Sequence, residues 1–90
     1  MRVIVNTFGT DIKLKQEIVL EPASPSLRDV LSALRERYRV PLERFLNDDL
    51  SPVRGVAILI NGRNIRSLDR SATTIREGDE LTFTVMVAGG

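Results

Sequence analysis

Between two sets of alternating runs lies the one long stretch with a helical period, "PASPSLRDVLSALRERYR" at residues 22–39. Leu27, Val30, Leu31, Leu34 and Tyr38 recur at helical spacing on one face, whereas Arg28, Arg35, Glu36 and Arg37 lie mostly off it. A helix with a single apolar stripe has to bury it, and the flanking strands offer the surface. Ser24 or Ser26 suits the N-cap, and Pro25 a first-turn position, where its missing N–H has no intrahelical partner to lose. Ser26 and Asp29, three residues apart, form a capping box with a shortened acid.

The flanks read as strands. "RVIVNTF" (2–8) sets Val3, Val5 and Thr7 against Ile4 and Phe8, and "GTDIKLK" leads into a second run, "KQEIVLE", as an antiparallel hairpin. After the helix, Pro41 opens a short helical turn carrying Leu42, Phe45 and Leu46, and residues 47–55 are expected to form a polar, mobile loop. "VAILI" is a strand with Val56, Ile58 and Ile60 inward, and it runs into Asn61-Gly62, a two-residue hairpin turn whose members both tolerate positive φ. A short strand near Arg63–Ile65 follows. Leu68 and Ile75 anchor a crossing segment, and a turn forms around Gly78. "LTFTVMV" closes the series, with Leu81, Phe83, Val85 and Val87 alternating against Thr82, Thr84 and Met86. The order β-β-α-β-β-β predicts an α+β fold: a mixed sheet of four to five strands wrapped on one helix. One domain is expected over residues 1–90, with its last strand beside the first and parallel to it.

The inventory of side chains excludes several chemistries. Cysteine and histidine are both absent, which removes disulfides, the usual zinc ligands, thiol nucleophiles and imidazole acid–base catalysis together. Carboxylates, hydroxyls, a few cations and the chain ends are left, so neither a self-contained enzyme nor a metal site is expected. Thirteen basic residues against twelve acidic ones give a net charge of +1, and no nucleic-acid partner is expected. No run approaches the ~18 apolar residues of a membrane span, and "MRVIVNTFGT" lacks the continuous apolar core of a signal peptide. The expected compartment is therefore the cytoplasm. Asp79 and Glu80 are neighbours at a strand entry, so their side chains diverge; they suit a turn better than an acid–base pair.

The sequence ends "VMVAGG". Taken alone, Gly89-Gly90 fits a frayed end or an expression scar as well as a functional tail. Taken with "AILING" (57–62), "REGDEL" (76–81), "VAGG" (87–90) and the order of elements, the chain resembles the β-grasp sulfur carriers of the MoaD/ThiS family, relatives of ubiquitin. The resemblance covers nearly all of the chain. It implies that an E1-like adenylating enzyme uses ATP to convert the Gly90 carboxylate into an acyl-adenylate. A sulfur donor then displaces AMP to leave a thiocarboxylate, and a biosynthetic enzyme such as the large subunit of molybdopterin synthase receives the sulfur. The additional length around residues 39–55 favours the molybdopterin type over the shorter thiamine carriers. Delivery to thiamine or to tRNA thiolation, a ubiquitin-like modifier joined to lysines, and a β-grasp module with an inert tail are the competing readings. Thr82 and Thr84 stand where the family often carries aromatic residues near the tail, so the partner surface is expected to differ.

Such a tail has a physical logic. A β-carbon on the last residues narrows any channel that admits them, and glycine lacks that atom. Residues 87–90 are expected to be flexible, with Val87, Ala88 and Gly89 threading into the partner and Gly90 carrying the reacting carbon. Ile4, Phe8, Leu59 and Met86 are expected on the sheet face away from the helix, as a partner-binding patch. Arg63, Arg66, Arg70 and Arg76 read as a solvated charged face, with a ring around the tail as the alternative.

Overall fold

The computed structural model describes residues 1–9, 15–69 and 72–85. In chain order the elements are β1 (Arg2–Phe8), β2 (Lys15–Val19), α1 (Leu27–Arg37), α2 (Arg39–Glu43), β3 (Val56–Ile60), β4 (Arg63–Asn64), a 3-10 turn (Ile65–Ser67) and β5 (Glu80–Val85). They form a five-stranded sheet in the order β2-β1-β5-β3-β4. β1 and β5 are parallel, and the other pairs are antiparallel. The first and last strands are thus central neighbours, joined through the residues furthest apart in sequence.

One face of the sheet carries α1. Leu27, Val30, Leu31 and Leu34 are wholly buried against Val3, Val5, Ile58, Leu81 and Phe83, which are wholly buried too. Burying each such side chain contributes roughly 1.5–3 kcal/mol. The helix begins at Leu27 because the Ser26 hydroxyl accepts from the Asp29 N–H at 3.2 Å. Pro25 therefore lies outside the first turn rather than in it. The acid of the capping box also acts differently from its expected geometry: Asp29 Oδ2 accepts from the Ser24 hydroxyl at 2.6 Å, and Ser24 Oγ accepts the Ser26 N–H at 3.2 Å. Asp29, one carbon shorter than glutamate, reaches the cap through a second serine. The helix start is tied down further by Leu27 N–H to the Thr73 carbonyl and Ile75 N–H to the Pro25 carbonyl.

Leu42, Phe45 and Leu46, expected in a short helical turn, are buried, and the Phe45 ring lies 5.9 Å from that of Phe83 on β5. Residues 47–55, expected to be a polar, mobile loop, are anchored by Leu50, which is also buried. Leu46 bridges Pro52, and Asn47 donates to Ser51 Oγ at 3.0 Å. Leu50 is buried at a φ of 69°: a lone apolar residue in an Asp-rich run is drawn into the core although no periodicity marks it. The Asn61-Gly62 turn forms as expected, with φ of 48° and 86° and Ile60 opposite Arg63. Ile65 does not extend β4; it starts the 3-10 turn, whose cap is the Asn64 side chain accepting from the Arg66 N–H.

Candidate functional site

Whatever follows Val85 leaves from the end of β5. That end is held on both sides, since Thr84 pairs with Phe8 of β1 and with Ala57 of β3, and Val85 pairs with Val56. Gly9 sits beside it with φ of +72°, and a β-carbon at Gly9 would lie 2.7 Å from the Val85 carbonyl oxygen. A side chain there would be strained by the left-handed backbone and would also push the strand end away. Gly9 is thus a positioning element that the sequence reading missed. Its requirement arises from a pairing across the full length of the chain, which leaves no local mark.

Alternation along the strands places Ile4, Asn6 and Phe8 of β1, Ala57 and Leu59 of β3, and Thr82 and Thr84 of β5 on the sheet face away from α1. Phe8 is 61% exposed, and Ile4 and Leu59 are half-buried. These are three members of the expected patch. The fourth, Met86, lies outside the described residues, as do Val87, Ala88, Gly89 and Gly90. At the patch's centre Asn6 and Thr82 are buried, although they are polar and on the open face. Asn6 Nδ2 donates to Thr82 Oγ1 at 3.5 Å, a long contact, and among the described residues no group donates to the buried Asn6 Oδ1. An unmatched buried acceptor costs about 1–3 kcal/mol.

Two of the four arginines can be placed relative to the end of β5. Arg63 pairs with Ile60 and Arg76 precedes β5, so both lie at the end of the sheet where β5 begins, about 16 Å of strand from Val85. Arg70 is outside the described residues. Asp79 is consumed by the turn, its carboxylate accepting from the Arg76 N–H at 2.7 Å and from Asn61 Nδ2 at 3.0 Å. The charged groove lined by Arg35, Glu36, Arg39 and Asp48, about 460 Å³, has its arginines in surface contacts within the chain. Arg35 donates to the Asp48 carbonyl, and Arg39 pairs with Glu36. Among the described residues there is no group of three or more potential metal ligands, and no helix is long and apolar enough to cross a membrane.

A mixed five-stranded sheet with a parallel central pair from the chain's two ends, crossed by one helix, is the β-grasp arrangement of ubiquitin-like proteins. The crystal structure of SAMP1 from Haloferax volcanii superposes with a TM-score of 0.71 over 100% of both chains, at 20% identity; that likeness concerns the fold. The sequence carries the identification further. The ThiS family model matches residues 3–90, and the chain belongs to that family of ubiquitin-like sulfur carriers and modifiers. It is 39% identical over 83 residues to a ubiquitin-related modifier 1 homolog of Caenorhabditis elegans, covering 88% of this chain and 83% of the relative. It is also 30% identical over 76 residues to a putative sulfur carrier protein of Archaeoglobus fulgidus, covering 82% and 84%.

Proposed function

We propose that this chain is a sulfur carrier in which the Gly90 carboxylate is the reacting group. The observation that carries the reading is the family match running through residue 90, on a chain whose last described strand ends at Val85 beside Gly9. Gly90 lies five residues beyond Val85, a span that can reach about 18 Å at full extension.

The chemistry needs little from the carrier itself. A carboxylate resists nucleophiles because resonance and negative charge disfavour attack. An E1-like partner joins the Gly90 carboxylate oxygen to the α-phosphorus of ATP and releases pyrophosphate. Hydrosulfide then attacks the acyl carbon, AMP leaves with the electrons of the broken C–O bond, and the thiocarboxylate remains after loss of a proton. One difficult substitution becomes two easier ones. The carrier supplies the acyl group and a docking face, here Ile4, Phe8 and Leu59 together with Met86. Cysteine and histidine are dispensable for that role. The proposed compartment is the cytoplasm, where ATP and the partner enzymes meet.

The proposed acceptor is the large subunit of a molybdopterin synthase, a reading supported by the anchored segment at residues 39–55 that lengthens the domain. A second reading, conjugation to target lysines through the same adenylate, is favoured by the 39% identity to a protein named a ubiquitin-related modifier. The test is to incubate the chain with the adenylating enzyme of its source, ATP and sulfide, and to record the intact mass. A gain of about 16 Da, one oxygen exchanged for sulfur, is expected. Heavier lysine conjugates in extract without that gain support the modifier, and no change with ATP and enzyme present contradicts both. Transfer of the sulfur on addition of the molybdopterin synthase large subunit checks the acceptor.

A further inference from the structure

The chemistry assigned to the tail makes no use of Arg63, Arg66 and Arg76, which are all exposed. Other arginines meet an acceptor within the chain: Arg2 lies 3.2 Å from Glu17, Arg39 lies 3.3 Å from Glu36, and Arg35 donates to the Asp48 carbonyl at 3.3 Å. Among the described residues, no carboxylate forms an ion pair with Arg63, Arg66 or Arg76. All three border a pair of cavities beside β4, the strand at the sheet edge. The first, about 400 Å³, has Pro52, Ile65 and Arg66 in its walls, and the second, about 340 Å³, has Ile60, Arg63 and Arg76. They share Leu68, which is half-buried against the core. The carboxylates close by are held by N–H donors of the chain. Asp79, in the wall of the second cavity, accepts from the Arg76 N–H and from Asn61 Nδ2, and Asp69 accepts from the Ala72 N–H.

We propose that this groove is a docking site for an acidic, extended segment of a partner protein that carries two apolar side chains. Charge selects the acid: guanidinium groups without partners match carboxylates, and clustered arginines recur where acidic motifs are recognised. Exposed ion pairs alone contribute little, so affinity has to come from covering the apolar walls formed by Ile60, Ile65, Leu68 and Pro52. The arginines then set which segment is accepted and how fast it arrives. An extended segment presents side chains i and i+2 on one face, about 7 Å apart, and can fill the cavities on either side of Leu68. A nucleic acid suits the groove less well. Its bases stack on aromatic rings, and none lines either cavity. Arg63 and Arg76 lie at the end of the sheet where β5 begins, so a segment held there leaves the tail free. The site does not depend on the chemistry proposed for Gly90.

The test titrates the full chain, isotope-labelled for amide spectra, with a short synthetic peptide of aspartate and glutamate that carries leucine at two alternate positions. The same peptide with serine in place of both leucines, and a short single-stranded RNA, are the comparison probes. Saturable binding of the leucine peptide is expected, with the largest shifts at Ile60, Arg63, Ile65, Arg66, Leu68 and Arg76. Arg63→Glu and Arg66→Glu are each expected to raise Kd about fivefold with Tm unchanged. Arg37→Glu makes the same change of net charge on the exposed last turn of α1, and it is expected to bind as the wild type does. Absence of saturation, shifts centred elsewhere, or equal weakening by Arg37→Glu overturns the proposal. Undiminished binding of the serine peptide overturns it too, since charge alone would then suffice, as does tighter binding of the RNA. Should one groove variant fail to fold, the other and the serine peptide decide. None of these outcomes bears on sulfur uptake at Gly90, which is tested separately.

Discussion

The two faces of this sheet are made from the same five strands by simple alternation, yet they follow opposite rules. On the face under α1 the side chains of Val3, Val5, Ile58, Leu81 and Phe83 are wholly buried and carry no polar atom. On the other face Phe8 stands 61% exposed, Ile4 and Leu59 are half-buried, and a buried asparagine keeps an unmatched acceptor. The covered face is organised for stability. The open face tolerates exposed apolar surface and a polar defect, both of which cost free energy in the isolated chain and suit a surface that another protein covers. The difference separates residues that hold the domain together from those left open on its surface.

The contrast can be broken by substitution. The largest loss of stability is expected from the covered face: Leu31→Ala removes a wholly buried side chain and should cost about 2–5 kcal/mol. At about 4–8 °C per kcal/mol for a domain of this size, calorimetry would register it readily. Next comes the strand end. Gly9→Ala meets a strained φ and the Val85 carbonyl together, and a loss of about 1–3 kcal/mol is expected. Adenylation should also slow beyond what unfolding explains, because the exit of the tail is displaced. The smallest effect on stability belongs to the open face. Phe8→Ser should shift unfolding by no more than about 0.5 kcal/mol while weakening partner affinity severalfold in a binding assay. A large stability loss at Phe8, or none at Leu31, would erase the distinction between the faces.

Much of this was legible in local sequence. The apolar stripe from Leu27 to Leu34, the Ser26 cap, the Asn61-Gly62 turn and the alternation in β1, β3 and β5 each carry their signal within a few residues. Features set by distant pairing were not legible. Alternation assigns Asn6 and Thr82 to a face but not to a depth; they are buried because they meet at the centre of the sheet, between strands 76 residues apart at that pair. Gly9 is fixed by the Val85 backbone, and Leu50 by a core it reaches from an irregular loop. Of the candidate site, three patch residues could be placed by alternation alone. The Arg63 and Arg76 positions required the strand order, which sets them at the opposite end of β5 from Val85.

The central claim is that the chemistry resides on Gly90 while the domain serves to present it. The most direct measurement compares the intact chain with one lacking Gly90, both treated with the adenylating enzyme, ATP and sulfide, by mass spectrometry and thermal unfolding. The account predicts the gain of about 16 Da in the intact chain, no gain in the shortened one, and the same Tm in both. Sulfur uptake by the shortened chain, or a large fall in its Tm, would contradict it.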